Sequence, residues 1–184
     1  MHGRSALRMT GVGVVAFLAG CATLQQAARS VATATATLTD ISGSPRGTAV
    51  LLQDIEGMVS IQLRGIALPP GTKGIHFHAV GRCDNEGAGA FATAGPHYNP
   101  ESKRHGLSSV DGPHAGDMPN ILVRDDGTVN ADLQTDRVTL TEGSRSLFDA
   151  DGSALIIHAG PDDQITDPSG NSGARIACGV VRTR

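Results

Sequence analysis

From about residue 33 onward the chain alternates short apolar runs with turn-forming clusters. Alanines alternate with threonines from Ala34 to Leu38, and Thr48 to Gln53 and Met58 to Leu63 are short alternating or β-branched runs. A period of two sends successive side chains to opposite faces of a strand. Ser42-Gly43-Ser44-Pro45, Asp54 to Gly57 and Pro69-Pro70-Gly71 punctuate these runs as turns. Further strands are predicted at Gly74 to Val80, Ile121 to Arg124, Val129 to Leu133, Arg137 to Leu140, Ala154 to His158 and Arg175 to Val181. Two stretches, Gly81 to Asn120 and Ala159 to Ala174, have almost no periodicity. Loops of that length are uncommon in compact domains unless they carry function. About eight short strands with two long functional loops predict one all-β domain, an antiparallel sandwich or barrel of Greek-key type. No internal repeat or heptad is visible.

The first residues have another pattern. Arg4 and Arg8 precede the apolar run Thr10 to Leu18, which is too short to span a bilayer as a stable helix. Leu18-Ala19-Gly20-Cys21 supplies small residues at a cleavage point. This order resembles the lipobox of bacterial lipoproteins, which implies a signal peptide over residues 1–20 and a lipid on Cys21. The alternative is an ordinary secretory signal with a chance cysteine. Residues 21–32 read as a tether, and the domain is expected to run over 33–184. Removal of residues 1–20 leaves 13 basic and 18 acidic residues, a net charge of −5. That balance gives no reason to expect a nucleic-acid partner. Cys83 and Cys178 remain, 95 positions apart. In an oxidising compartment they read as a disulfide, the alternative being two buried thiols.

The histidines carry the candidate chemistry. His76 and His78 stand at i and i+2 on a predicted strand, so both rings lie on one face. His97, His105, His114 and Asp117 fall in the first long loop, and three imidazoles with one carboxylate make a four-coordinate set of the kind zinc takes. His158 ends an apolar strand. All six histidines that remain after residue 20 lie in or beside the two loops. Imidazole suits copper and zinc, and an all-imidazole set beside a mixed one suits a redox copper next to a structural zinc.

Five stretches carry a resemblance. They are Gly74-Ile75-His76-Phe77-His78, Ala94-Gly95-Pro96-His97-Tyr98-Asn99-Pro100, Gly112-Pro113-His114-Ala115-Gly116-Asp117-Met118-Pro119-Asn120, Leu155-Ile156-Ile157-His158-Ala159-Gly160, and Gly170-Asn171-Ser172-Gly173-Ala174-Arg175-Ile176-Ala177-Cys178-Gly179. On these the sequence is similar to the copper–zinc superoxide dismutases, specifically their bacterial periplasmic branch. The resemblance implies dismutation of superoxide to oxygen and hydrogen peroxide, with Cu(2+)/Cu(+) and Zn(2+) as cofactors. It implies His76, His78, His97 and His158 on copper, and His97, His105, His114 and Asp117 on zinc. His97 then bridges the two ions and takes a proton in the cycle. Asp162 matches the carboxylate linking His76 to His105, with Asp163 its close competitor. Arg175 matches the arginine that guides the anion, and Cys83 and Cys178 match the family disulfide.

Some positions depart from the pattern. Ala79 stands where many relatives carry Glu. The second loop has no Lys and carries Asp162, Asp163 and Asp167, so the lysine steering described for the family is in doubt; Lys73, Arg82, Lys103 and Arg104 are candidate substitutes. A copper-handling protein and a structural envelope protein on the same fold are competing readings. The full ligand set and Arg175 argue against both. The expected setting is the periplasm or cell envelope, with Ala22 after Cys21 leaning toward the outer membrane, as a monomer or homodimer.

Overall fold

The computed structural model describes residues 30–184. Residues 1–20 and Cys21 lie outside the described residues. Nine strands and one short helix follow in order: β1 (Ser30–Thr39), β2 (Pro45–Asp54), β3 (Val59–Gly65), β4 (Gly71–Lys73), β5 (Ile75–His78), η1 (Ala92–Ala94), β6 (Ile121–Val123), β7 (Val129–Thr135), β8 (Ala154–His158) and β9 (Arg175–Thr183). Seven strands form one antiparallel sheet in the order β5-β8-β9-β1-β2-β3-β7, and β4 pairs with β6 in a small second sheet. β1, β2 and β3 form a meander. The chain then crosses to β5 at one edge, returns to β7 at the other, and crosses again to β8.

The alternation in sequence becomes the two faces of this curled sheet. Ala34, Ala36 and Leu38 of β1, Ala49 and Leu51 of β2, and Ile61 and Leu63 of β3 are buried in one apolar core, together with Ile121 and Val123 of β6. A fully buried Leu or Ile side chain contributes about 1.5–3 kcal/mol by leaving water. On β5 and β8 the same core takes Ile75, Phe77, Leu155 and Ile157. Their alternate neighbours face the other way. There Phe91, Ala94, Ala154, Ile156 and Cys178 make a smaller cluster beneath the first long loop. A Cys83–Cys178 disulfide ties that loop to β9. Closing a loop of 95 positions is worth roughly 4–5 kcal/mol on the chain-entropy account.

Three details depart from the expectation. β1 begins at Ser30, inside the stretch read as tether, because Ala32 and Thr33 pair with Gln53 and Leu52 of β2. Gly71–Lys73 is a short strand that begins on the last residue of the expected Pro69-Pro70-Gly71 turn, ahead of the strand expected from Gly74. Arg137 to Leu140 is not a strand. Its only ladder contact is an isolated bridge between Thr139 and Ser146, and side chains take the N–H groups of Arg137 and Leu140. Gln53 Oε1 accepts the Leu140 N–H at 2.6 Å and the Thr139 hydroxyl at 2.9 Å.

Candidate metal centre

Sheet register places the first histidines. His76 lies opposite Ile156 on the β5–β8 ladder, on the face that the first loop covers. The ring centroids of His76 and His78 are 6.5 Å apart. A β-bulge between Ile157 and His158 ends the β8–β9 register and sets His158 opposite Arg175. The loop then folds back over β5. The Tyr98 N–H donates to the Phe77 carbonyl at 2.8 Å, and the Phe77 N–H donates to the Gly116 carbonyl at 2.9 Å. Residue 116 must be glycine, since a Cβ there would stand 2.4 Å from the Phe77 carbonyl oxygen. This packing brings His97 within 4.0 Å of His76, centroid to centroid, with the rings stacked.

Two clusters result, and they share one member. His76, His78, His97 and His158 form the first; His97, His105, His114 and Asp117 form the second; all seven residues are buried. Hydrogen bonds set the direction of each ring. The His78 Nδ1 donates to the Gly95 carbonyl at 2.9 Å, and the His158 Nδ1 to the Gly173 carbonyl at 3.1 Å. The His76 Nε2 donates to Asp162 Oδ2 at 2.6 Å, and the His105 Nε2 to Asp162 Oδ1 at 3.0 Å. Carbonyl and carboxylate oxygens only accept, so each bonded nitrogen carries a proton, which leaves the other nitrogen of the ring free to bind a cation once it is itself unprotonated. Those other nitrogens are His76 Nδ1, His78 Nε2, His158 Nε2 and His105 Nδ1, and each is buried without a hydrogen-bond partner. His97 Nε2 and His114 Nδ1 are in the same condition.

Six partnerless buried nitrogens converging in two groups are hard to reconcile with an empty polar interior, where buried polar atoms are almost always paired. A cation in each group satisfies all of them. His97 turns Nε2 toward the first cluster and places Nδ1 3.0 Å from Asp117 Oδ1 in the second. The same oxygen lies 3.0 Å from His105 Nδ1 and 3.4 Å from His114 Nδ1. Asp117 is held by the N–H groups of Gly106 at 2.8 Å and His114 at 3.0 Å, both on Oδ2. The donor sets suit copper and zinc respectively. A third group, His76, His105 and Asp162, is a link rather than a metal pocket, because both of its imidazole nitrogens already donate to the carboxylate. Asp163 does not share this role. It caps the N–H groups of Ile165 and Thr166 at 3.0 and 2.8 Å.

The electrostatics follow from burial and neighbours. Burial holds His78 well below the usual imidazole range, and the rings and Arg175 around it add to this. His97 is lowered to about 4, because burial outweighs its bond to Asp117. Burial, with His76 beside it, takes His158 to about 3. His105 goes the other way: burial pulls it down, but Asp117 and Asp162 reverse that and raise it to about 9. Burial pushes the Asp117 carboxyl up, yet the surrounding imidazoles hold it far below the ordinary carboxylate range.

Arg175 is half-buried, and its guanidinium donates to the carbonyls of Phe91 and Gly95, both at 2.6 Å. Gly95 also accepts from His78. The loop pinned by the disulfide therefore fixes a ring of the first cluster and the arginine through one carbonyl. Sequence reasoning missed these backbone partners, which have no side-chain signature.

The candidate substitute cations do not stand free. Lys73 is 6% exposed and donates to the Ala159 carbonyl at 2.7 Å. Arg82 pairs with Asp84 and Glu86, Lys103 lies 3.8 Å from Glu101, and Arg104 pairs with Asp167 at 2.9 Å. A cavity of about 490 Å³ beside His97 and His114 is walled by Ala79 and by two further acids, Asp149 and Asp151.

Comparison with known proteins agrees with this geometry. The family described as copper/zinc superoxide dismutase (SODC) matches residues 45–181. Superoxide dismutase (Cu-Zn) 1 of Aquifex aeolicus (strain VF5) is 46% identical over 142 residues, covering 76% of this chain and 82% of its own length. Superoxide dismutase (Cu-Zn) of Caulobacter vibrioides (strain ATCC 19089 / CIP 103742 / CB 15) is 37% identical over 153 residues, covering 81% and 85%. Among solved structures, a double mutant of a SOD-like protein from Bacillus subtilis superposes with a TM-score of 0.74 at 38% identity, covering 79% of this chain and 95% of that one.

Proposed function

The chain belongs to the copper/zinc superoxide dismutase family, and from that premise we propose that it removes superoxide in the cell envelope, anchored by a lipid on Cys21. It is a copper- and zinc-dependent superoxide dismutase. The finer assignment puts copper on His76, His78, His97 and His158, and zinc on His97, His105, His114 and Asp117. The observation that carries it is the set of six buried imidazole nitrogens left without partners and aimed into two clusters.

Bound copper would supply the one-electron exchange with superoxide, and bound zinc would supply a fixed positive charge on His97. The protein's own residues do the rest. Arg175 offers the anion a charge placed by two carbonyls. His97 Nε2 can hold a proton and pass it to the reduced product, since two superoxide ions and two protons give one oxygen and one hydrogen peroxide. Asp162 keeps His76 and His105 in the tautomers that face their lone pairs inward, the usual task of such outer carboxylates.

The test is superoxide decay by the protein loaded with copper and zinc, beside His158→Ala. Activity that survives this substitution unchanged, or that is absent from the loaded wild type, defeats the assignment. Incorporation of labelled fatty acid that is lost in Cys21→Ser checks the anchor; equal labelling of both refutes it. The export pattern of residues 1–21 supports the envelope setting, as does the pair of cysteines joined in a disulfide.

A further inference from the structure

Arg137 belongs to none of the roles above, yet it reaches the backbone of the second cluster. It follows β7 in the segment whose backbone leaves the sheet ladder. Its guanidinium donates to the backbone carbonyl of Asp117 at 2.6 Å, across 20 positions of sequence. The segment is braced for this. The Arg137 N–H donates to the Thr135 hydroxyl at 3.1 Å, and Gln53 of β2 holds the backbone at Leu140. The arginine is half-buried, and its Nε is buried without a partner. An arrangement that leaves a buried donor unpaired is costly, so placing the guanidinium on Asp117 must return something.

The rest of the Asp117 environment indicates what. β5 holds one side of this loop segment, through the bridge between His76 and Asp117 and the Phe77 bond to Gly116. The carboxylate itself faces three imidazoles. Among the described contacts, Arg137 is the one side chain that bonds the Asp117 main chain, and it brings positive charge close to the residue that carries the carboxylate. We infer that Arg137 is a positioning residue for the zinc site, clamping the main chain of its single carboxylate ligand against β5 so that Asp117 Oδ1 stays at the point where His97, His105 and His114 converge. This rests on the zinc reading given above. Three of the four copper-side rings, His76, His78 and His158, hang on β5 and β8, and His97 alone among the four bonds the Asp117 side chain, so the clamp acts on zinc far more than on copper.

The experiment uses the full chain freed of metal, with Zn(2+), Co(2+) and Cu(+) each titrated against a competing chelator. Arg137→Gln is expected to weaken Zn(2+) by about 10- to 100-fold, the usual effect of losing a partner of a metal ligand. Cu(+) should change by less than about threefold. The visible bands of bound Co(2+) should lose intensity as its tetrahedral geometry relaxes. Arg137→Lys, which keeps one charged donor, should recover most of the zinc affinity. A variant with near-ultraviolet circular dichroism like wild type but unchanged zinc affinity overturns the clamp. So does an equal loss of zinc and copper, which would mean general loosening. Wild type that takes up neither Zn(2+) nor Co(2+) overturns the zinc reading itself, and the clamp with it.

Discussion

Replacing Asp162 by alanine should cost the protein its zinc far more than its copper. Its carboxylate is fully buried and accepts three donors: His76 Nε2 at 2.6 Å, His105 Nε2 at 3.0 Å and the Gln164 N–H at 2.6 Å. Truncation leaves all three without an acceptor. At about 1 kcal/mol each, the low end expected when water can enter the vacated space, the loss is about 3 kcal/mol. That is roughly a hundredfold in an equilibrium constant. The two imidazoles do not share it equally. His76 stays fixed by the β5–β8 ladder and by stacking on His97 at 4.0 Å. His105 sits on a loop, and Asp162 holds its ring. The loss of about 3 kcal/mol is spread over folding and both metals, and the zinc share shows as the roughly 10- to 100-fold fall in affinity usual when a ligand loses such a partner. Copper affinity should fall less than about tenfold, both read by chelator competition on the metal-free protein. Gly170→Ala should act the same way without touching the carboxylate, since its Cβ would stand 1.8 Å from Asp162 Oδ1 and 2.7 Å from His105 Nε2. Zinc affinity within threefold of wild type in Asp162→Ala, or copper lost while zinc is kept, would refute the reasoning.

Two further outcomes follow from the electrostatics. The rate of superoxide decay should not drop as ionic strength rises from about 10 to 150 mM, because Lys73, Arg82, Lys103 and Arg104 are all engaged and the cavity beside His97 is walled by Asp149 and Asp151; a severalfold fall, measured by pulse radiolysis, would show attraction that these residues do not supply. The metal-free protein should be most stable near pH 6.5. The lowered His97 and His158, at about 4 and 3, bind protons more readily when unfolded, so stability drops as pH falls below 6.5. The raised His105, at about 9, holds a proton that the unfolded chain gives up, so its stabilising contribution is lost as pH rises from 6.5 through 9. Urea unfolding at intervals from pH 4 to 9 checks both slopes, and stability still rising above pH 8 would contradict the second.

The ladder strands were legible because alternation is a local property: Ala34 to Leu38 shows its period whatever lies across from it. The histidine set was legible for another reason, since few buried roles suit six imidazoles in two loops. The choice of Asp162 over Asp163 was only a position in a motif until the loop path showed which carboxylate turns inward. Arg137 to Leu140 misled because its apolar spacing is that of a strand, while the bonds that decide its conformation come from Gln53, more than 80 residues earlier. The cation pairs were hidden for the same reason. Arg104 meets Asp167 across 63 positions, and no local pattern records the fold that joins them.

β5 and β8 carry two sets of information at alternating positions. Ile75, Phe77, Leu155 and Ile157 serve the apolar core, while His76, His78 and His158 serve the metals. Because the sets point in opposite directions, selection can act on one with little effect on the other. A descendant could lose its metal chemistry by substitutions on the face that the first loop covers and still inherit a well-folded domain. That separation gives this architecture room to diversify.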